Sequence, residues 1–306
     1  MQNPPPLKTA FTDMLKVDYP IIGAPMFLVS YEELAAAVSA AGGLGAIPLP
    51  NYRTLEDLEH ALKKIRESTD KPIGVNIHLS GKFEWKKQLK ICLEAGVQFF
   101  ITSLGNPGLI LEEVHASGGK VFADVVTLEQ GLKARDQGLD GLIAVGSGAG
   151  GHGGRTPTIV LVPYLRQKTG LPVIAAGGIS TGQQMAAALC LGACAVITGT
   201  RMVATVESGA QEAYKQAVIQ AGPDDIVCTD KITGNPANWL AQSIQTFEER
   251  PDLGSKKWLD LWSAGRSVAQ AECIKPAGRI IMEMMADFYE TCGELSLYAA
   301  QLPSTS

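Results

Sequence analysis

Apolar residues in this chain alternate between two patterns. Short continuous runs are followed by stretches in which apolar positions recur every three or four residues with charges between them. Runs of four to six apolar residues read as buried strands, and the longer spaced stretches as amphipathic helices. On that basis the chain predicts strands at 20–24, 44–47, 72–77, 98–102, 120–125, 141–145, 172–176 and 195–197. Helices are predicted at 31–41, 55–65, 85–95, 109–116, 128–137, 160–168 and 183–191. Gly42-Gly43, Gly96, Gly118-Gly119 and Gly138 stop four of them. Strict alternation of this kind implies parallel strands joined by crossover helices. Strands this apolar need cover on both faces.

Eight strand–helix units in about two hundred residues predict an α/β fold, a closed (β/α)8 TIM barrel. An open doubly wound sheet is the other architecture with this alternation. It calls for a G-x-G-x-x-G turn after the first strand, where this chain has Gly23-Ala24-Pro25-Met26. The alternation breaks after Gly199-Thr200-Arg201. Residues 207–262 are polar, with Trp239, Trp258 and Trp262, and carry turn signals at Gly234-Asn235-Pro236 and Arg250-Pro251-Asp252. They predict a small, mainly helical subdomain over the barrel mouth. Residues 1–206 and 263–306 then form the barrel, with a closing helix from Pro276 to Leu302. The three tryptophans are expected in the subdomain's core, since Trp is usually well buried.

Composition narrows the function. The 306 residues are 46% hydrophobic and 19% charged, enough for a sizeable core. The net charge of −5, with no basic tract, argues against a nucleic-acid partner. No apolar run approaches the roughly 20 residues that span a bilayer. The start, Met1-Gln2-Asn3-Pro4-Pro5-Pro6, lacks the apolar centre of a secretion signal. Six dispersed cysteines and four scattered histidines give no metal-ligand spacing. A cytoplasmic protein with reduced thiols is expected. Nothing in the sequence sets an oligomeric state.

The candidate chemistry lies at the C-terminal ends of the strands, where barrels of this class bind ligands. The most distinctive end is Gly146-Ser147-Gly148-Ala149-Gly150-Gly151-His152-Gly153-Gly154. Six of its nine residues are glycine, around a single titratable side chain. Such a backbone comes close to a ligand, and the imidazole can move a proton near neutral pH. Gly177-Gly178 and Gly199-Thr200 end the last two strands. Backbone N–H groups at the helix starts that follow predict an anion site, hence a phosphate-bearing ligand. Ala24-Pro25-Met26 offers an apolar backbone wall, against which a flat ligand with polar edges fits. Asn76, whose amide both donates and accepts, is placed to bond such an edge. His78 is read as a pocket-wall residue, and His60 and His115 as surface residues.

These features together resemble the nitronate monooxygenases, also called 2-nitropropane dioxygenases, FMN-dependent (β/α)8 barrels with a small substrate domain. The likeness runs from Tyr19–Met26 through Ala40–Gly45, Gly74-Val75-Asn76, Ala149–Gly153, Ala175–Ile179 and Gly199-Thr200-Arg201 to Trp262–Gly265. The resemblance implies that Ala24, Pro25 and Met26 wall the flavin ring and that Asn76 touches it. It places Gly150 and Gly151 beside the cofactor, and gives the FMN phosphate to Gly177, Gly178, Gly199 and Thr200. His152 matches the family's active-site histidine, and Ser263 a serine that reaches the substrate. Two positions depart from the pattern. Several relatives have Lys where this chain has Asp124, and many have Glu where it has Gly148. Asp124 is expected to accept a bond from the flavin or its ribityl hydroxyls.

The implied reaction is oxidation of an alkyl nitronate or nitroalkane by O2 to a carbonyl compound and nitrite, with His152 as the base. Close relatives imply an alternative, in which NAD(P)H reduces FMN and hydride passes to an enoyl thioester or a quinone. A third reading needs no redox cofactor, only a phosphate-binding barrel acting as an isomerase or lyase. In each the partner is a small molecule.

Overall fold

A computed structural model describes residues 3–79, 84–249 and 261–299. Eight parallel strands close into a barrel: β1 (Ile21–Gly23), β2 (Leu44–Pro48), β3 (Ile73–His78), β4 (Phe99–Leu104), β5 (Lys120–Val125), β6 (Gly141–Val145), β8 (Val173–Ala176) and β9 (Ala195–Thr198). The ring closes where Ile21, Ile22 and Gly23 pair with Val196, Ile197 and Thr198. Every predicted strand is present, within a residue or two at its ends. The open-sheet alternative is thereby excluded.

Side chains alternate across the barrel wall. Ile22, Leu44, Phe99, Ile101, Phe122, Ile143, Ile174 and Ile197 fill the interior, while Ile21, Ile73, Val75, Val121, Val173 and Val196 face the helices. Helices α2 (Glu32–Ala40), α3 (Leu55–Ser68), α4 (Trp85–Glu94), α5 (Leu111–Ala116), α6 (Leu128–Asp136), α7 (Thr158–Thr169) and α8 (Gly182–Cys190) supply the crossovers. Reciprocal side-chain caps start two of them, Thr54 with Asp57 on α3 and Thr181 with Gln184 on α8.

The first helix escaped the hydrophobic pattern. Helix α1 (Ala10–Leu15), capped by Thr9, is only six residues long. Its Phe11 and Leu15 are buried in the barrel interior. The Phe11 ring packs edge-on to Phe99 at 5.7 Å, and Phe99 opens β4. α1 therefore plugs the end opposite the strand C-termini. Each such buried ring or leucine contributes roughly 1.5–3 kcal/mol.

The appended segment is less helical than expected. It contains α10 (Glu212–Gln220) and α11 (Ala241–Glu249), but between them lies a hairpin of β10 (Ile226–Thr229) and β11 (Ala237–Leu240). β11 also pairs with β7 (Gly151–His152), placing Ala237 opposite His152 and Asn238 opposite Gly151. The cause is local: Ala237–Leu240 is a run of four buried residues behind the Gly234-Asn235-Pro236 turn. The glycine-rich stretch is thus partly a strand, held by a partner nearly ninety residues away. Trp239 is fully buried, as expected. Trp262 is half-buried and stacks on Tyr214 at 5.4 Å. Trp258 lies outside the described residues.

After the short turn α9 (Thr200–Val203), the chain returns through the closing helix α12 (Ala277–Ala299). α12 packs across α8, with Gly182 against the backbone of Phe288 and the Gln183 N–H donating to Asp287 Oδ2 at 3.0 Å. No described helix is long and apolar enough to cross a membrane.

The tightest packing is backbone against backbone. A Cβ at Gly45 in β2 would fall on the Ala35 carbonyl of α2, so neither partner can yield. At Gly293, within α12, an added Cβ meets nothing. Gly45→Ala is expected to cost about 3 kcal/mol or more, and Gly293→Ala to add about 0.5–1 kcal/mol. Urea unfolding of both variants checks the contrast.

Candidate active site

Three glycine turns meet at the barrel's C-terminal mouth. The loop after β6 lies against the turn after β8: a Cβ on Gly148 would sit 3.2 Å from Gly178 N, and one on Gly177 would sit 2.7 Å from Ala149 N. The segment 263–267 closes from above. Gly265 rests on the Gly148 carbonyl, a Cβ on Gly150 would lie 2.9 Å from Gly265 N, and the Arg266 N–H donates to Gly148 O at 3.1 Å. A side chain at position 148 would press on the Gly178 backbone, which would have to give by a few tenths of an ångström.

The β8–β9 ladder ends at Ala176 opposite Ile197, and Gly177-Gly178 and Thr198-Gly199 continue from that pair. Gly178 has φ +80°, and the space on its Cβ side is open. Thr158 Oγ1, at the start of α7, donates to Gly177 O at 2.8 Å and holds this turn. Thr200 Oγ1 accepts from Gly265 N at 2.8 Å and keeps its own hydrogen to donate. Gly199 faces Ala24 and Met26, whose Cβ and Sδ lie 3.4 and 3.6 Å from where its Cβ would be. Ser30 Oγ donates to Ala24 O at 2.7 Å and accepts from Met26 N at 3.1 Å, which fixes the Ala24-Pro25-Met26 backbone.

The N–H groups expected to meet an anion at the start of α8 are already taken. There the capping side chain of Gln184 takes the Ser180 and Thr181 N–H groups at 2.7 and 3.2 Å, and Asp287 takes that of Gln183. The N–H groups of Gly178, Ile179, Gly199 and Thr200 find no protein acceptor among the described residues. These four line the two adjacent turns. Their donors, with the open side of Gly178, fit a phosphate.

Asn76, Ser103 and Asp124 form a second group across the ends of β3, β4 and β5. Asn76 Nδ2 donates to Ser103 Oγ and to Ile101 O, the latter at 3.3 Å. Ser103 Oγ in turn donates to Asp124 Oδ2 at 2.7 Å. Burial pushes the Asp124 carboxyl up to about 6, against the opposing pull of the Ser103 bond. Asp124 is thus a carboxyl that gains a proton within reach of neutral pH.

His152 stands on β7 at the rim. Its Nε2 lies 2.9 Å from Thr233 Oγ1 in the turn of the β10–β11 hairpin. The residue is exposed, and partial desolvation of the ring lowers its pKa from the ordinary imidazole range. Ser263 comes beside it. Its Oγ lies 3.8 Å from where a Gly151 Cβ would be, and its carbonyl accepts from the buried Tyr214 hydroxyl. His78 is half-buried and its pKa is likewise lowered by desolvation, while His60 and His115 are exposed. His115 pairs with Asp140 at 2.8 Å, far from this rim in the β5–β6 framework.

Sequence reasoning missed Asn238. It is 3% exposed, and its Nδ2 donates to both Ser147 O and Ala149 O, at 2.9 and 2.6 Å. One appended residue thereby ties two carbonyls of the histidine loop. Thr233 was also missed, and Ser103 and Gly265 were given no role of their own. The only available signal was the polar Asn inside the apolar run 237–240.

Asp124 generates a stability prediction. Its folded pKa is raised, so the folded chain holds a proton that the unfolded chain releases above about pH 4. Stability at this position therefore falls as pH rises from 4 to 6 and stays lower above that. Asp124→Asn is expected to stabilise the chain by up to roughly 3 kcal/mol at pH 7 and by little at pH 4. Thermal unfolding of both proteins at the two pH values measures the difference.

Comparison with known proteins agrees with this architecture. The nitronate monooxygenase family model matches residues 8–84 and 80–257. The chain is 33% identical over 253 residues to a Mycobacterium tuberculosis protein named (3aS,4S,5R,7aS)-5-hydroxy-7a-methyl-1-oxo-octahydro-1H-indene-4-carboxyl-CoA dehydrogenase, covering 82% of this chain and 70% of that one. It is 30% identical over 325 residues to a probable nitronate monooxygenase of Staphylococcus saprophyticus, covering 84% and 91%. Among solved structures, FabK from Thermotoga maritima superposes with a TM-score of 0.86 at 37% identity, over 95% of this chain and 99% of that one. Matched by that family model over most of its length, this chain belongs to the nitronate monooxygenase family of oxidoreductases.

Proposed function

We propose that this chain is an FMN-dependent nitronate monooxygenase, oxidising alkyl nitronates and their parent nitroalkanes with O2 to a carbonyl compound and nitrite. The observation that carries the reading is geometric: an exposed imidazole at the mouth, on the loop that packs against the two phosphate-fitting turns. Gly178, Ile179, Gly199 and Thr200 would hold the FMN phosphate. Ala24, Pro25 and Met26 would wall the ring, Asn76 and Asp124 would meet its polar edges, and Gly150 and Gly151 would lie beside it. Bound FMN supplies the electron-transfer chemistry, which no side chain here can provide.

The protein's part is to handle a proton and orient the substrate. A nitroalkane carries an acidic C–H next to its nitro group. His152 takes that proton as general base, and its lowered pKa keeps it in the accepting form. Ser263, held by Tyr214 beside Gly151, offers a hydroxyl to a nitro oxygen.

A second reading is favoured by the CoA-dehydrogenase relative and by the close superposition on FabK. In it a bound flavin would supply hydride-transfer chemistry between NAD(P)H and an enoyl thioester or a quinone, and His152 would donate a proton. A donor has to be protonated, and desolvation works against that state. This is why the base role is preferred. Membership of an oxidoreductase family sets the isomerase or lyase reading aside.

His152→Asn is expected to lower kcat/KM on neutral nitroalkanes roughly 100-fold or more, with nitronate oxidation nearly unchanged. Equal losses on both substrates would remove the base assignment. In the wild type, the acid limb of the nitroalkane profile should lie below the ordinary imidazole value of about 6.5. Anaerobic titration separates the two readings: bleaching of the flavin by nitronate but not by NADH or NADPH supports the monooxygenase, and rapid bleaching by either nucleotide supports the reductase.

A further inference from the structure

We infer that Thr233 fixes the proton on Nε2 of His152, leaving Nδ1 as the nitrogen that accepts a proton from substrate. The inference deepens the base assignment above and rests on it for its catalytic meaning, but its structural content stands on hydrogen-bond accounting alone. Thr233 Oγ1 lies 2.9 Å from His152 Nε2 and 3.1 Å from the Asn235 carbonyl oxygen. A hydroxyl has one hydrogen, and a carbonyl oxygen only accepts. If Thr233 gave its hydrogen to the ring, its lone pairs would face those of Asn235 O across 3.1 Å, and that contact would be repulsive. The arrangement that satisfies both contacts sends the Thr233 hydrogen to Asn235 O. The ring nitrogen must then donate, so Nε2 carries the hydrogen.

The geometry around this pair is built to keep it. His152 sits opposite Ala237 in the β7–β11 ladder, and Thr233 belongs to the turn that leads into β11. Ring and hydroxyl are therefore carried on one small sheet. Gly234, at φ +80°, lets its N–H return to Asp230 O at 2.7 Å and close the turn. Asn238, on β11, anchors the same sheet to Ser147 and Ala149. The bond also survives catalysis. When Nδ1 takes a proton, Nε2–H still donates to Thr233, so the hydroxyl need not turn. With the opposite tautomer the first protonation would occur at Nε2 and break the contact. Thr233 is accordingly a positioning residue that acts through the ring.

The test reads the tautomer directly. On the full-length protein as purified, uniformly 15N-labelled, long-range 1H–15N spectra of the imidazoles are recorded above the His152 pKa, with His152→Asn assigning the signals. A protonated Nε2 and an unprotonated Nδ1 are expected. Thr233→Ser should preserve this pattern, and Thr233→Val should shift His152 to a mixture of tautomers. Wild-type His152 protonated on Nδ1, or a Thr233→Val spectrum identical to wild type, would overturn the inference. With nitroalkane as substrate, Thr233→Val should lose about tenfold in kcat with the nitronate rate unchanged, and Thr233→Ser should restore it. An Nε2–H tautomer in a protein inert to nitroalkanes would sink the proposed function and leave the tautomer assignment standing.

Discussion

The contact on which the site depends is main chain against main chain. Gly148, Gly150, Gly177 and Gly265 approach so closely that a single methyl group on any of them would meet another residue's backbone. Side chains can rotate away from a crowded neighbour, but peptide planes cannot. Three turns from distant parts of the chain are therefore locked to one another. Their N–H groups are aimed by the fold, with no side chain left to choose the direction. That is the preorganisation an anion site needs.

Around this junction the labour is divided. The barrel supplies the turns and, on β3 to β5, the hydrogen-bonded row of Asn76, Ser103 and Asp124. The appended segment supplies what orients the histidine. Thr233 meets the ring, Asn238 holds the loop carbonyls, and Tyr214 holds the Ser263 carbonyl. The imidazole thus belongs to the barrel in sequence and to the appended sheet in space. Asp124 illustrates the usual tension at such sites. A carboxyl whose pKa is raised by desolvation weakens the fold near neutral pH.

The barrel was legible because burial on both faces demands continuous apolar runs, and those runs survive translation into strands with little ambiguity. The glycine turns were legible for a related reason: clustered glycine at strand ends marks close backbone approach. Helix α1 was not legible. Six residues hold less than two helical turns, too few for a period to show, and Phe11 declares its role only once Phe99 stands beside it. The hairpin at 226–240 was hidden by its short strands and long turn.

The amino-acid order by itself determined the eight strands, the crossover helices, the glycine-rich rim and the presence of one histidine in its midst. Each of these follows from local chemistry: how apolar a run is, where it stops, and which residues tolerate a tight turn. Tertiary structure alone decided which N–H groups stay available to an anion, since Gln184 and Asp287 claim those at the start of α8. It alone decided which ring nitrogen of His152 is engaged, through a threonine 81 positions away. Hydrogen bonds between distant residues leave no periodic trace in the chain, because either partner looks ordinary until folding brings the other within 3 Å.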